Sequence, residues 1–352
     1  MIIEGLGKVE GRMNLFWPVY KRIEEDVLKI AETIFFDDDQ LDVYSLSIAD
    51  LLIRCVVEVE AISKELYLRL GGVEELVDAD GKRRDLYFDT DCIKLIVDTW
   101  GINKKKIQIT NPNMFFTAKK AVLTPLHKAH KRGTSSSKWQ QAYQAVKHFR
   151  SKSIKKATVD NLLNALGALY ILNLYYADES FWMETPIEGK REYAIESKIF
   201  TPFICDATNI RMSPEMGDVY KTKIQNPTLE ESIYVKKYTE DAFEAIHTDM
   251  CRFDLSVQIR IKMSPEYKAV IQEHPELDKM STPQIAQSIG MDYVNLITQE
   301  SGKLGRTLVR YKEKEAVLVK DETVYPTLTY HDFLSSDEGI KFAEKVMNSM
   351  IK

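Results

Sequence analysis

The stretch Thr158-Val-Asp-Asn-Leu-Leu-Asn-Ala-Leu-Gly-Ala-Leu-Tyr-Ile-Leu-Asn-Leu-Tyr-Tyr176 decides the fold. Its apolar side chains fall on nearly every side of a helix instead of along one stripe. A helix of this kind has to be covered on all sides by other elements. We therefore predict a central core helix that runs from Asn161 to Tyr176, with the remaining elements packed around it.

Two amphipathic helices precede this central helix. From Asn14 to Phe36, apolar residues recur at three- and four-residue steps, which predicts one helical stripe. Either Ser45 or Ser47 can cap a second long helix, and Gly71-Gly72 ends it. A shorter helix is predicted from Asp89 to Trp100. Together these segments predict a helical bundle.

Short β-like segments accompany the predicted bundle. Lys106-Ile-Gln-Ile-Thr110 alternates as a strand does, and Ala118 to Leu123 adds a second strand, so a small hairpin is expected. Beyond about Asp178, short β-like runs mix with helices. The predicted fold is therefore mainly α, with a helical bundle carrying a small β hairpin at residues 1–178 and an α+β C-terminal region of unassigned role at residues 179–352.

The C-terminal region is predicted segment by segment. Predicted strands are 198–205, 231–238 and the end of 312–320; predicted helices are 239–250, 264–273, 282–289, 292–301 and 335–350. Thr282 to Ile297 has the spacing of a helix-turn-helix, with Gly290 at the turn. Two interpretations stay open for this pattern, a structural helical hairpin and a helix that reads DNA.

The composition narrows the class of protein. The chain has 352 residues, of which 44% are hydrophobic and 29% charged, which is typical of a globular protein with substantial cores. No window approaches 18 consecutive apolar residues, so a membrane span is not expected. The first residues lack the pattern of a signal peptide, and the four cysteines have no metal-ligand spacing. We expect a soluble, cytoplasmic protein without a metal or cofactor.

The charge of this chain is distributed unevenly. Between Asp98 and Asp160 there is no acidic residue, while 14 Lys and Arg side chains and three His occur there; the whole chain has a formal net charge of -5. We call Thr99 to Val159 the acid-free segment. A local positive field of this kind attracts phosphate, so RNA or another polyanion is the first partner to consider.

The densest part of the acid-free segment, Lys138 to Arg150, is predicted to be helical, with Ser135 to Ser137 offering the N-cap. On such a helix Tyr143, Lys147 and Arg150 share one face. Trp139 and Val146 form an apolar stripe, with Ala142 and Phe149 beside it, and His148 lies at the margin between the two faces. The predicted nucleic-acid-binding residues are Lys131, Arg132, Lys138, Tyr143, Lys152, Lys155 and Lys156.

Lys147, His148 and Arg150 are the candidate catalytic residues. The two cations could hold a scissile phosphate, and the imidazole could deprotonate a ribose 2′-hydroxyl or protonate the leaving oxygen. The alternative interpretation is a solvated basic face on which His148 pairs with Glu58 or Glu60. His127 and His130 are three residues apart, but two histidines among basic neighbours do not predict a metal site.

The order of these segments is similar to that of prokaryotic HEPN-like proteins. The resemblance covers roughly residues 12–178, and its most specific part is Lys147-His-Phe-Arg150 followed by the helix that contains Asn161 and Asn164. The usual Arg-x4–6-His signature of HEPN nucleases is absent around all six histidines. The resemblance implies a helical bundle that often dimerises, with Lys147, His148 and Arg150 on its functional groove.

Two classes of function follow from these observations. The resemblance implies an RNA-engaging HEPN-like protein, with metal-independent ribonuclease activity of the phage-defence or toxin type as its enzymatic form. The second class is a non-enzymatic binding protein whose basic groove receives a nucleotide or an acidic protein partner. Sequence-specific DNA binding through residues 282–300 is a third hypothesis, which depends on the helix-turn-helix spacing.

Overall fold

The central helix predicted from the sequence is present as α5 (Val159–Ala177). A computed structural model of the chain describes residues 14–78, 80–179, 181–182, 197–207, 210–212, 219–221, 227–288, 290, 292, 295, 298–299, 314–318 and 329–351. Every residue from Ala165 to Tyr176 is buried. The prediction of a core helix covered on all sides is therefore confirmed.

Three helices surround α5 and bury their apolar faces against it: α1 (Phe16–Ala31), α2 (Leu46–Arg69) and α4 (Lys138–Ser153). The two longest predicted helices begin at polar caps. The Asn14 side-chain oxygen accepts hydrogen bonds from the first backbone amides of α1, and the Ser45 hydroxyl accepts one from the backbone N–H of Ile48 at 3.1 Å. Ser45, not Ser47, is therefore the residue that starts α2.

The segment before the acid-free segment is helical but irregular. A π-helical stretch covers Phe88–Ile93 and leads directly into α3 (Lys94–Trp100), which ends at Gly101 with φ of 61°. The segment predicted as one helix from Asp89 to Trp100 is therefore a π-helical stretch followed by a short α-helix. The π-helical stretch turns Asp89 inward, where 7% of the residue is exposed.

The predicted hairpin is present within a larger sheet. Strands β3 (Ile107–Ile109) and β4 (Val122–Leu123) pair antiparallel, which confirms the hairpin. A third strand from later in the chain, β6 (Phe200–Pro202), pairs antiparallel with the other edge of β3. A separate two-stranded hairpin is formed by β1 (Leu76–Val77) and β2 (Arg83–Arg84).

The C-terminal region contains a four-stranded mixed sheet and several helices. In the sheet, β10 (Tyr234–Tyr238) lies between antiparallel β11 (Lys314–Leu318) and parallel β7 (Ile204–Asp206), and β5 (Phe181–Trp182) pairs with β11. The remaining described elements are β8 (Ile210–Met212), β9 (Val219–Lys221), α6 (Glu240–Met263), α7 (Pro265–Glu273), α8 (Thr282–Ser288), α9 (Tyr330–Ser335) and α10 (Asp337–Met350). The mainly helical class with small sheets is therefore confirmed.

Two predictions for this region, the end of the helix at 239–250 and the helix-turn-helix at 282–297, can be compared with the structure. Helix α6 extends to Met263, well past the predicted end near residue 250, because an unbroken mixed apolar and charged pattern continues through that stretch. In the proposed helix-turn-helix, α8 is present and Gly290 has the positive φ of a turn, at 74°. The second helix, 292–301, falls mainly outside the described residues.

Apolar and polar contacts join the two predicted regions. Ile199, Phe200, Ile233 and Tyr234 belong to the same buried cluster as the core of the helical bundle. The fully buried carboxylate of Glu24 on α1 accepts hydrogen bonds from the Ser197 hydroxyl and the backbone N–H of Ile199. The domain division at residue 178 stays a prediction. Among the described helices, none is both long and apolar enough to cross a bilayer.

Candidate nucleic-acid interface

Helix α4 carries the candidate residues, and it is interrupted at Phe149. The backbone of Phe149 has φ of −141° and ψ of 61°, far from helical values. A shared face of Tyr143, Lys147 and Arg150 requires an unbroken helix, so that expectation is wrong. Trp139 and Val146 are buried, as their stripe suggests, whereas 66% of Phe149 is exposed.

Tyr143 lies in the core and not on the surface. Only 1% of the residue is exposed, so its ring cannot stack on a base, although it was predicted to bind nucleic acid. The Lys147 ammonium lies 5.3 Å from the centroid of that ring. Tyr143 therefore contributes by positioning Lys147, through a cation–π contact, and not by touching a ligand.

Glu60 on α2 is the acidic neighbour of this pair. Burial raises the pKa of the Glu60 carboxyl, while the nearby Lys147 charge and a hydrogen bond with Tyr143 lower it. Within the described residues, Lys147 has no carboxylate oxygen within 4 Å, so its charge is only partly compensated. Lys147 itself is exposed at the surface.

Arg150 points away from this group. Its guanidinium lies 3.0 Å from the Asp50 carboxylate at the start of α2, in an exposed ion pair. The change of direction follows from the backbone break one residue earlier. Lys147 and Arg150 are therefore engaged by different residues, and a shared phosphate site for them stays a prediction.

His148 is exposed, and in the described part of the chain no carboxylate oxygen lies within 4 Å of its imidazole. The interpretation that pairs His148 with Glu58 or Glu60 is therefore wrong, since Glu60 interacts with Tyr143 and Lys147 instead. General acid–base catalysis needs a positioned group. In the isolated chain no described side chain positions His148.

Exposed lysines continue beyond the break. Lys152 lies in the last turn of α4, and Lys155 and Lys156 lie in the 3₁₀ turn Ile154–Lys156 that connects α4 to α5. None of the three has an ion pair with a described residue. We define the α4 basic surface by the exposed residues Lys147, His148, Phe149, Lys152, Lys155 and Lys156.

Other cations of the acid-free segment are compensated by the C-terminal region. Lys104 and Lys106 form ion pairs with Glu230 and Glu231, respectively. Between them, Lys105 is 3% exposed and donates to the Leu229 carbonyl oxygen at 3.3 Å. Burial lowers the pKa of Lys105 to about 8. The ammonium groups of these three lysines are thus engaged by residues 229–231, so we do not count them as part of a surface for a polyanion.

Three further predicted residues, Lys131, Arg132 and Lys138, lie before α4 or at its first residue. The Arg132 guanidinium lies 3.6 Å from the ring centroid of Tyr87, and its Nε is 3.6 Å from the Asp89 carboxylate. Lys131 and Lys138 are exposed, and neither has an ion pair with a described residue. Lys138 lies near Asp160, whose pKa is raised by burial and lowered by that lysine.

The two histidines of the loop before α4 differ in environment. His127 is exposed, while His130 is half-buried, and burial followed by the charge of Lys131 lowers the pKa of His130. In the described ranges, no three His, Cys, Asp or Glu side chains are grouped closely enough to hold a metal ion. The loop therefore offers basic surface without a ligand set.

A polar cleft of about 460 Å³ lies between the π-helical stretch and the first two turns of α4. It is lined by Phe88, Asp89, Arg132, Gly133, Thr134, Ser136, Gln140, Gln141 and Gln144. The side chains of two of these glutamines already make hydrogen bonds within the chain. Gln140 completes a capping box with Ser137, and Gln141 donates to the carbonyl oxygens of Thr134 and Ser136. This cleft was not predicted, because Asp89 lies outside the acid-free segment and only its π-helical turn brings it to α4.

Phe149 was also not singled out from the sequence. Its spacing from Trp139 and Val146 matches a buried stripe, and both of those residues are indeed buried. The one available signal was its position between Lys147-His148 and Arg150, where an apolar side chain has charged residues on both sides. Comparison with known proteins adds no family: no protein-family model, no curated protein and no solved structure matches this chain.

Proposed function

We propose that this protein binds single-stranded RNA through the α4 basic surface. The observation that carries the proposal is an exposed phenyl ring, Phe149, among cations that lack carboxylate partners in the described part of the chain. Proteins that hold single strands combine a positive surface that follows the backbone with aromatic side chains on which bases stack. The α4 basic surface supplies both.

The position of Phe149 costs the protein free energy that burial would recover. Burying a phenylalanine side chain is worth about 1.5–3 kcal/mol, and this ring forgoes most of that gain at a helix break. A binding role gives a physical reason for the arrangement, since a base stacked on the ring removes its apolar face from water. Lys147 and Lys152 flank the ring on either side in sequence, where they can contact phosphates.

The family and the reaction are part of the same proposal. The HEPN-like resemblance is supported by the mainly helical architecture around α5, and it is the basis for proposing a homodimer, which light scattering of the purified protein would detect. Ribonuclease activity would need His148 to be held in place, either by bound RNA or by a second copy of the chain. We therefore propose RNA binding as the function, and metal-independent cleavage of the bound RNA as the activity it would have if the protein is an enzyme.

The binding proposal is tested by fluorescence anisotropy with a labelled 12-nucleotide RNA of mixed sequence. Phe149→Ala should weaken binding about 5- to 150-fold, because one base stack is worth about 1–3 kcal/mol. Phe35→Ala is the matched control, since Phe35 is also largely exposed, at 59%, but precedes the acidic run Asp37–Asp39. Equal affinity of the wild type and the Phe149 variant would overturn the proposal.

The cleavage form is tested separately, with total RNA and with the same labelled oligonucleotide. Wild-type protein should cut both in the presence of a chelator, and His148→Ala should stop the cutting while the variant still binds the oligonucleotide. Intact RNA with both proteins would leave a binding protein without enzymatic activity. Binding that is insensitive to salt would instead favour the second candidate, a pocket for a single nucleotide.

A further inference from the structure

The polar cleft beside α4 contains a buried carboxylate with unused hydrogen-bonding capacity. Asp89 is 7% exposed, and its Oδ1 accepts one hydrogen bond, from the backbone N–H of Thr90 at 2.7 Å. Its Oδ2 lies 3.6 Å from the Arg132 Nε, which is too long for a hydrogen bond. A carboxylate accepts through two oxygens with about four lone-pair sites. At this position it therefore suits a ligand that brings N–H donors.

The other cleft residues narrow the class of ligand. Phe88 lines the cleft beside these polar residues, and its side chain also packs against the core. Gln144 is exposed, and its amide has no hydrogen bond to a described residue, so it can both donate and accept. The Arg132 guanidinium, which is 3.6 Å from the Tyr87 ring centroid, also lines the cleft and brings N–H donors to it. These groups together match a flat, polar heterocycle that carries both donors and acceptors.

We propose that this cleft is a base pocket that selects guanine. Among the RNA bases, guanine presents two adjacent N–H donors, N1–H and the 2-amino group, which a single carboxylate accepts side by side. Its O6 and N7 acceptors face the other way, towards donors such as the Gln144 amide or Arg132. Uracil has one N–H between two carbonyls, and adenine and cytosine each present one amino group at that edge.

The location of the cleft relates it to the α4 basic surface. Gln141 and Gln144 lie on the turns of α4 that precede Lys147, and Gln144 and Lys147 are three residues apart, hence neighbours on the helix surface. A volume of about 460 Å³ is in the range of small-molecule sites and exceeds what one base needs. A strand that contacts the α4 basic surface could therefore place one nucleotide in the cleft. In this respect the inference rests on the proposed function.

The test uses the full chain and a series of ligands that differ at one group. Anisotropy is measured with six-nucleotide uridine RNAs that carry guanosine, inosine, adenosine or uridine at one central position. Guanosine should bind about tenfold or more tightly than inosine, which lacks the 2-amino group, because each well-formed bidentate contact discriminates by about 1–3 kcal/mol. This comparison needs no variant, so it does not depend on the folding of a mutant.

Asp89→Asn then tests the residue, because an amide replaces one acceptor oxygen with a donor. The variant should lose the preference for guanosine and keep the affinity for the all-uridine RNA. Asp85→Asn is the matched control, since Asp85 is exposed and does not line the cleft. Circular dichroism of both variants checks that the helical content is unchanged.

The outcomes separate this inference from the proposed function. RNA binding without preference among the four central bases would overturn the guanine pocket and leave the function standing. A guanosine preference that persists in Asp89→Asn would also overturn it, because the carboxylate would not be the reader. If no RNA binds, titration with guanosine monophosphate decides: binding that Asp89→Asn abolishes supports the pocket alone, and absence of binding sinks both.

Discussion

Removing the three lysines beyond the helix break should change the salt dependence of RNA binding more than any other property. Lys147, Lys152, Lys155 and Lys156 are exposed, and no described carboxylate lies within ion-pair distance of them. If each meets one phosphate, binding releases counterions from four sites. For a single strand the slope of log K against log salt is then about −0.7 times four, or roughly −2.8.

The triple variant Lys152→Gln, Lys155→Gln, Lys156→Gln leaves Lys147 alone, so the slope should fall to about −0.7. Between about 50 and 200 mM salt, the affinity of the wild type should drop about 50-fold and that of the variant only about threefold. Glutamine keeps the polarity and most of the length of the side chain, which limits changes in the 3₁₀ turn that contains two of these residues.

The matched control uses lysines of the same acid-free segment that are already compensated. Lys104→Gln with Lys106→Gln removes two charges that Glu230 and Glu231 neutralise. This double variant should keep the wild-type slope, although it carries nearly as large a change in net charge. Anisotropy titrations at five salt concentrations give the three slopes. Equal slopes for the triple variant and the wild type, or a fall in the control as large as in the triple variant, would refute the assignment of the α4 basic surface.

Three further predictions concern the scaffold. Burial lowers the pKa of Lys105 to about 8, against about 10.4 in the unfolded chain, so between these pH values the unfolded state holds a proton that the folded state has lost. The unfolding free energy of the wild type should therefore rise over that pH range, by about 3 kcal/mol at most, and Lys105→Met should flatten the rise; urea unfolding at pH 7 to 10 measures both. Trp139→Phe should lower the unfolding free energy by about 2–4 kcal/mol, because it removes part of a buried ring and the hydrogen bond from Nε1 to the Pro125 carbonyl oxygen (2.8 Å). Urea unfolding followed by circular dichroism measures the change, and a loss below about 1 kcal/mol would contradict this prediction. Gly339→Ala should destabilise α10 by about 1–3 kcal/mol, because the added Cβ would lie 2.0 Å from the Phe333 carbonyl oxygen. Asn348→Ala, at an exposed position of the same helix, should have little effect when both variants are compared by thermal unfolding.

The helical core could be predicted from the sequence because its signals are local. The all-round apolar pattern of α5 and the Ser45 cap of α2 are each contained within a few turns of chain, and both are present. The β3–β4 hairpin was predicted for the same reason. The strand β6 was also predicted, within 198–205, but its pairing with β3 was not, because it joins residues about 90 positions apart and only the tertiary fold brings them together.

The candidate site was predicted in composition but not in geometry. The acid-free segment does carry exposed lysines around the end of α4, as expected. Helical periodicity assumes an unbroken helix, so it could not indicate the irregular backbone at Phe149. It also could not show that Lys104 and Lys106 are compensated by glutamates about 125 residues away. Charge counted along a sequence is not the same as charge left uncompensated in space.

The break at Phe149 has a consequence for the shape of any complex. Beyond it, the last turn of α4 is tied to α2 by the exposed Arg150–Asp50 pair, and contacts of this kind contribute less than about 1 kcal/mol. Thermal energy is therefore sufficient to release and re-form that tether. On release, the Arg150 guanidinium would be free to turn towards a bound strand, while the turns before the break stay anchored by the buried Trp139 and Tyr143.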